Sequence, residues 1–279
     1  MTRILFGITL ILMLAASSGF IAFIVAQKKS IFKVSFRLLL TAFAFHTAFL
    51  IYNWITLGIL PVLGLKSALS SFAWFVTLVY LVFHNRFGLM VLGSFVTPFL
   101  SAVMIISAVV PGTELVIQPA LKSAWLWVHV ITVFAGDGMF VITFMGSIMY
   151  LMQERQIKKK LRGSVYSRLP SLESLDSINK TSLIYGFCFL TTGLITGAMY
   201  AQFAMGSYWQ WDSKEVWSMI TWLAYAVLLH GRLAVGWRGK KAALLSVSCF
   251  IILLFAFLGG GILFSGYHSF SSLIGGTGS

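Results

Sequence analysis

The chain has 279 residues, of which 59% are hydrophobic and only 10% are charged, and its mean hydropathy is +0.93. Because soluble domains are about a quarter charged, this composition excludes a water-soluble globular protein and indicates an integral membrane protein. The net charge of +13 does not indicate a nucleic-acid partner, because the chain contains no base-reading motif and its basic residues flank apolar segments.

Eight apolar runs are long enough to cross a bilayer as helices, which requires about 17–25 residues. They predict an all-α, polytopic membrane protein whose residues 1–279 form a single membrane domain. In chain order the runs are 4–26, 34–57, 67–84, 87–109, 124–152, 183–203, 216–237 and 242–265. The longest polar segment, 153–182, is predicted to be a linker, and residues 204–217 are predicted to form a Trp-rich loop.

The Lys and Arg residues are distributed unevenly between alternate connections. Of the 20 such residues, only four fall on one side of the predicted topology, namely Arg3, Lys66, Lys122 and Lys214. The positive-inside rule assigns the other, basic side to the cytoplasm. Both termini and the loop 204–217 are therefore predicted to lie outside, and the linker 153–182 is predicted to be cytoplasmic.

The segment 206–232, GSYWQWDSKEVWSMITWLAYAVLLHGR, sets a polar, Trp-rich loop against an apolar helix that carries a histidine near its end. Trp209, Trp211 and Trp217 supply flat aromatic faces, and Asp212 supplies a polar group that could orient a bound molecule. Such a surface suits a large planar ligand. The simpler alternative is an interfacial aromatic belt, but a belt rarely packs three tryptophans and four charged or amide side chains into nine residues.

Two histidines from distant parts of the sequence are predicted to lie on the same side as this loop. His129 lies within about 8 Å of the outer end of its helix at 1.5 Å per residue, and His268 follows the last helix. Two opposed imidazoles beside an aromatic platform are what a six-coordinate haem requires. Taken singly, each could instead be an interfacial histidine bonded to the backbone or to water.

His230 is predicted to lie deeper, roughly 20 Å below the outer end of its helix. His46 and Asp137 lie at comparable depths, where ionisable residues are functional candidates by default, although these two could equally satisfy each other. Two classes remain open from the residues alone: a haem-handling membrane enzyme or chaperone, and a proton- or solute-coupled transporter. The inverted repeats expected of a transporter are not visible in the sequence.

The Trp-rich segment resembles the "WWD" signature of the cytochrome c assembly family of haem-handling proteins, and within it the CcsA/ResC branch of System II. The resemblance extends through WLWVHV, YLMQERQIKKK, RLPSLESLD, LTTGLITGAMYA, YWQWDSKEVWSMITWLAYAVLLHGR, GWRGKKAA and SGYHSF. The first hundred residues match chiefly at HNRFGLMVLGSFVTPF. The family often has Trp-Gly, Asp-Pro-Lys-Glu and Gly-Val-Asn where this chain has Met205-Gly206, Asp212-Ser213-Lys214-Glu215 and Gly259-Gly260-Gly261.

This resemblance implies a site for haem b in which His129 and His268 are external axial ligands. Trp209, Trp211, Asp212 and Trp217 would hold the haem, and His230 would belong to a second, transmembrane haem site. The second histidine of that inner site is expected from a separate membrane subunit resembling CcsB/ResB.

The implied activity is that of a cytochrome c haem lyase or synthase, exerted only together with this partner. It would convey haem across a bacterial cytoplasmic or thylakoid membrane and attach it covalently to apocytochrome c, whose thiols a thioredoxin-like reductant would keep reduced. The HemX-like regulators of haem synthesis share the fold and give the alternative function.

Overall fold

The computed structural model of the protein describes residues 1–58, 60–112, 123–160 and 168–262, with side chains up to residue 258. Within these ranges every regular element is helical, which confirms the all-α prediction. Eight α-helices follow one another: α1 (Thr2–Ala26), α2 (Lys29–Leu57), α3 (Leu65–Phe87), α4 (Gly93–Val109), α5 (Ala124–Lys158), α6 (Leu172–Met205), α7 (Ser213–Leu233) and α8 (Gly239–Ile262).

Six of these helices, α1, α2, α3, α5, α6 and α8, are long and apolar enough to cross a membrane. The helix α4 is apolar but has only 17 residues. The helix α7 is not among the six, and it carries Glu215 in its first turn and His230 and Arg232 in its last. The protein is therefore an integral membrane protein whose helices follow the predicted order.

The polar segment 153–182 is more helical than its predicted role as a linker implied. The helix α5 continues to Lys158, whose ammonium group pairs with Glu154 one turn earlier at 2.8 Å. The helix α6 already begins at Leu172, because the Ser171 hydroxyl accepts a hydrogen bond from the Ser174 N–H and caps the first turn. Hydropathy marks where a helix leaves the apolar phase, not where its hydrogen bonding stops, so both helices extend beyond their apolar runs.

Glycines form the seam between α5 and α6, which is the most extensive helix pair of the protein. A Cβ atom on Gly136 would lie 3.1 Å from the Gly186 carbonyl oxygen, and one on Gly193 would lie 2.6 Å from a methyl group of Val133. A Cβ atom on Gly186 would meet the ring of Phe140 at 2.8 Å. Small residues of this kind let two membrane helices approach at backbone distance.

The helices α5, α6, α7 and α8 enclose the second half of the core. Phe140 of α5 stacks on Tyr225 of α7 with ring centroids 3.6 Å apart, and Phe144 stacks on Phe250 of α8 at 4.2 Å. The helix α3 connects this group to α1, α2 and α4 through its contacts with α5. The outer sites described below are thus built on closely packed helices.

Two arginine side chains bond to neighbouring helices at one end of the bundle, here called the basic end. Arg168 donates a hydrogen bond to the Ile24 carbonyl at the end of α1, at 2.8 Å. Arg232 of α7 forms an ion pair with Asp176 of α6 at 3.0 Å. The loop between α6 and α7 lies at the opposite end, here called the Trp end. That the basic end is cytoplasmic remains a prediction.

The glycine seam gives a direct test of the packing. Gly186→Ala should lower the free energy of unfolding by about 1–3 kcal/mol, because Phe140, held by its stack on Tyr225, cannot yield to the added methyl group. Gly7→Ala is the matched control, since no atom lies within 4 Å of its Cβ position, and it should leave stability unchanged or raise it slightly. Thermal unfolding in detergent measures both. Equal unfolding temperatures for the two variants would contradict the seam.

Candidate functional site

The Trp-rich loop begins where α6 ends in a left-handed glycine. Gly206 has φ +74° and its N–H donates to the Gln202 carbonyl at 3.0 Å, which is the usual arrangement for ending a helix. The Ser207 hydroxyl then donates to the Trp209 carbonyl at 2.9 Å. The non-helical part of the loop is therefore 206–212, which is shorter than the predicted 204–217.

Two carboxylates fix the other end of the loop. Asp212, which is buried, accepts a hydrogen bond from the Glu215 N–H at 2.8 Å and caps α7. Glu215 in turn accepts one from the Gln210 N–H at 2.7 Å. This reciprocal arrangement resembles a capping box. Both carboxylates therefore help to shape the loop, whatever else they contact.

Trp211 is held between these caps in a conformation that is uncommon for its residue type. Its φ is +58°, in the left-handed region that costs a residue with a side chain about 1–2 kcal/mol. Its side chain is 79% exposed, and its ring meets that of Trp209 edge-on, with centroids 5.9 Å apart. Such local strain is characteristic of ligand-binding positions. The loop thus presents a large indole surface to its surroundings.

The other two tryptophan positions differ from Trp211. Trp209 is half-buried, and its indole N–H is buried with no hydrogen-bond partner within the described ranges. Trp217 lies one turn into α7 and packs edge-on against Phe255 of α8, with ring centroids 4.5 Å apart. Trp217 therefore belongs to the α7–α8 contact directly beneath the loop, and Trp209 has a donor available for a bound molecule.

His129 is fixed by the backbone of α6. Its Nδ1 lies 2.8 Å from the Gly193 carbonyl oxygen, and a Cβ atom on Gly197 would meet the imidazole ring at 2.8 Å. Metal-ligating histidines characteristically donate one ring N–H to such a carbonyl, which fixes the tautomer and aims the other nitrogen at the metal. The geometry of His129 therefore fits an axial ligand.

The depth of His129 differs from that of the loop. Gly197 precedes Gly206 by roughly nine residues, so His129 lies about 13 Å along α6 from the start of the loop at 1.5 Å per residue. The helix α8 runs toward the same end, as its contact with Trp217 shows. The predicted partner His268 lies outside the described residues, and its pairing with His129 remains a prediction.

His230 occupies a different surface, near the basic end. It is exposed in the last turn of α7, about 25 Å along the helix from Ser213. This depth exceeds the predicted 20 Å because α7 starts earlier than its apolar run. Leu223 and Val227, also exposed, precede it at helical spacing on one face. The structure therefore separates His230 from His129 and places it on the surface of the helical bundle.

The two remaining intramembrane candidates are both buried. His46 is completely buried, and its Nε2 lies 2.9 Å from the Ser70 hydroxyl of α3. Asp137 is buried in α5 between Gly136 and Gly138, which are also buried. His46 thus takes part in the α2–α3 contact, and Asp137 belongs to the core of the second half.

Two tryptophans at the Trp end were not among the predicted site residues. Trp54, near the end of α2, meets Trp127 of α5 edge-on with ring centroids 5.2 Å apart. The position of Trp127, two residues before His129, was visible in the WLWVHV segment. Trp54 carried no comparable signal, because its proximity depends on how α2 packs.

Comparisons with known proteins agree with this architecture. A family described as "Cytochrome C assembly protein" matches residues 5–268. The chain belongs to this family. The match includes the first hundred residues as well as the Trp-rich half of the chain.

Several curated relatives carry the name "Cytochrome c biogenesis protein CcsA". The one from Chlamydomonas reinhardtii is 34% identical over 229 residues, covering 79% of this chain and 64% of the relative. The one from Parasynechococcus marenigrum (strain WH8102) is 30% identical over 295 residues, covering 97% and 96%. This member of the cytochrome c assembly family is therefore a membrane protein of cytochrome c biogenesis.

A solved structure shares the fold. The protein named "Cytochrome c Heme Lyase CcmF" superposes with a TM-score of 0.64 at 17% sequence identity, covering 96% of this chain and 48% of its own length. The helical arrangement of this cytochrome c assembly protein thus recurs as about half of a larger chain.

The capping of α7 predicts how the loop responds to mutation. Asp212→Ala should lower the free energy of unfolding by about 1 kcal/mol and speed amide exchange at Glu215, because the cap is lost. Asp212→Asn keeps the acceptor oxygen and should stay within a few tenths of a kcal/mol of the parent. Thermal unfolding and hydrogen exchange in detergent measure the difference. Equal losses in both variants would show that the negative charge matters, not the cap.

Proposed function

We propose that this protein binds haem b at the Trp end and presents it for covalent attachment to apocytochrome c, as a haem lyase or synthase. The observation that carries this proposal is the pair formed by His129, with Nδ1 fixed by the Gly193 carbonyl, and the loop that holds Trp211 exposed in a left-handed conformation. The first supplies an oriented imidazole, and the second supplies an aromatic surface at the same end.

The reaction requires no nucleophile from this chain. Each thioether forms when a cysteine thiol of the apocytochrome adds across a haem vinyl group: the sulfur bonds to one vinyl carbon and a proton is added to the other. The reactive groups belong to the two substrates, so the protein contributes positioning, which supplies up to about 7–11 kcal/mol in favourable cases. A thioredoxin-like reductant would keep the thiols reduced.

The residues divide this positioning between them. His129 and His268 would hold the iron from two sides until the histidine of the apocytochrome replaces one of them. Trp209 and Trp211 would set the plane of the macrocycle, with the unpartnered indole N–H of Trp209 available to a haem substituent. Asp212 and Glu215 hold the loop in shape through the two caps.

A partner subunit completes the proposal. His230 is exposed on a face of α7 with Leu223 and Val227, so an iron bound there would take its other axial ligand from outside this chain. A membrane subunit resembling CcsB/ResB would pack on this face and supply that histidine. The membrane would be a bacterial cytoplasmic or thylakoid membrane, with the Trp end on the periplasmic or lumenal side.

The outer site is tested by removing its ligands one at a time. His129→Ala and His268→Ala should each lower haem affinity at least about tenfold, since even indirect changes around a metal ligand cost that much. Maturation of c-type cytochromes should fall with it, and added imidazole should partly restore the low-spin spectrum. Thr132→Ala, one turn along α5, is the control. Normal haem content and maturation in the double variant would refute the outer site.

The inner site makes a different prediction. His230→Ala should deplete haem at the Trp end by interrupting its supply, yet leave that end able to bind haem added from outside. Ile251→Ala, exposed on α8 rather than on this face of α7, should behave as the parent. Haem titration in detergent with the partner subunit present measures both variants. If added haem fails to bind the His230→Ala protein, the two-site relay is wrong.

A further inference from the structure

A groove between α2 and α3 lies at the basic end, far from the residues considered above. It has a volume of about 570 Å³ and is lined by Phe36 and Leu40 of α2 and by Leu81, Val82, His84 and Asn85 of α3. Its walls are mainly apolar, and His84 is the group with ligand chemistry among them. Neither the Trp loop nor the face of α7 that carries His230 contributes to it.

His84 is surrounded by aromatic rings. Its imidazole centroid lies 4.8 Å from that of Phe36, 5.3 Å from that of Phe32 and 6.0 Å from that of Tyr80. Its Nδ1 is buried without a hydrogen-bond partner in the described part of the chain, as is the Nδ1 of His46. His46, however, is completely buried, whereas His84 is only partly buried and lines the groove, so a ligand in the groove can reach its imidazole ring.

The charges around the groove are arranged for an amphipathic anion. Lys29, Lys33, Phe36 and Leu40 follow one another at helical spacing along one side of α2. Both lysines are exposed and lie at the start of the helix, while the apolar pair lies deeper. The end of α2 next to the groove is therefore cationic, and the groove itself is lined mainly by apolar side chains. A planar macrocycle with two carboxylates on one edge and an iron at its centre fits this arrangement. Its carboxylates would pair with the lysines, its rings would contact the apolar walls, and its iron would bind His84.

We infer that this groove is a third haem site, at which haem is first acquired at the basic end, with His84 as an axial ligand to the iron. Phe36 lies against the macrocycle, and Lys29 and Lys33 pair with the propionates. This inference rests on the proposed haem-handling function and extends it to a place of uptake. An anionic phospholipid would also be attracted by the two lysines, but it gives no role to an imidazole, and His84 therefore favours haem.

The experiment uses the full chain in detergent with His129, His230 and His268 all changed to alanine, so that the histidines left are His84 in the groove and the completely buried His46. Haemin titrated into this background should still bind and give a histidine-ligated Soret band. Adding His84→Ala should weaken binding at least about tenfold, and imidazole should restore the spectrum. Thr41→Ala, exposed on α2 and outside the groove lining, should titrate as the background does.

Two further measurements distinguish the loss of an iron ligand from misfolding of the variant. Metal-free protoporphyrin should bind the background and its His84→Ala derivative equally, because it forms no iron–nitrogen bond. Leu40→Trp, which fills the groove from α2 without altering His84, should block both porphyrins. Identical haemin titrations with and without His84 would overturn the inference. Loss of copurified anionic phospholipid from Lys29→Glu and Lys33→Glu variants, combined with such identical titrations, would identify a lipid site instead.

These outcomes are distinguishable from a failure of the proposed function. That function is tested by comparing the parent protein with the background that lacks the other three histidines, whereas the groove is tested by His84 within that background. If the parent and the background bind the same amount of haem, the sites at the Trp end and on α7 are wrong, while the effect of His84→Ala still decides the groove.

Discussion

The close approach of α5 and α6 is the constraint on which the rest of the structure depends. Gly186, Gly193 and Gly197 line one side of α6, and the side chains opposite them occupy the space that Cβ atoms would take. Only at this separation does the His129 imidazole reach the Gly193 carbonyl. The seam that provides the van der Waals packing of the bundle therefore also sets the height and orientation of the candidate iron ligand, so stability and ligand geometry share one cause.

Many polar groups inside the bundle bond to the backbone of their own helix, and others find partners across helix pairs. The indole N–H of Trp222 donates to the Thr191 hydroxyl at 2.9 Å, and His46 lies 2.9 Å from Ser70. Because unpaired polar atoms are costly where water is absent, such pairs explain polar residues in apolar helices without a transport role. Trp209 Nε1 and His84 Nδ1 are among the buried polar atoms without a partner in the described ranges, and these two lie beside the Trp loop and the α2–α3 groove.

The sequence predicted the helix order, the membrane character and the family, because apolar length and the Trp-rich motif are local signals. It did not predict features that depend on how helices meet. Hydropathy could not show that α5 and α6 extend through 153–182, since capping by Ser171 and the Glu154–Lys158 pair act outside the apolar phase. Likewise, the rings around His84 come from α2 and α3, and no sequence motif shows that these two helices are in contact there. His268 lies outside the described residues, so its assignment as a haem ligand rests on the sequence alone.

The helices α6 and α7 are joined at several heights: by the caps around the loop, by the Trp222–Thr191 hydrogen bond and by the Arg232–Asp176 ion pair, whose arginine side chain is 3% exposed. One residue inserted into either helix between these points would rotate everything beyond it by about 100° and separate the buried arginine from its carboxylate. Differences in length among homologous chains should therefore accumulate in 206–212 and be rare in the helices on either side. The contacts between α6 and α7 therefore constrain the lengths of both helices, and with them the distance between the Trp end and the basic end.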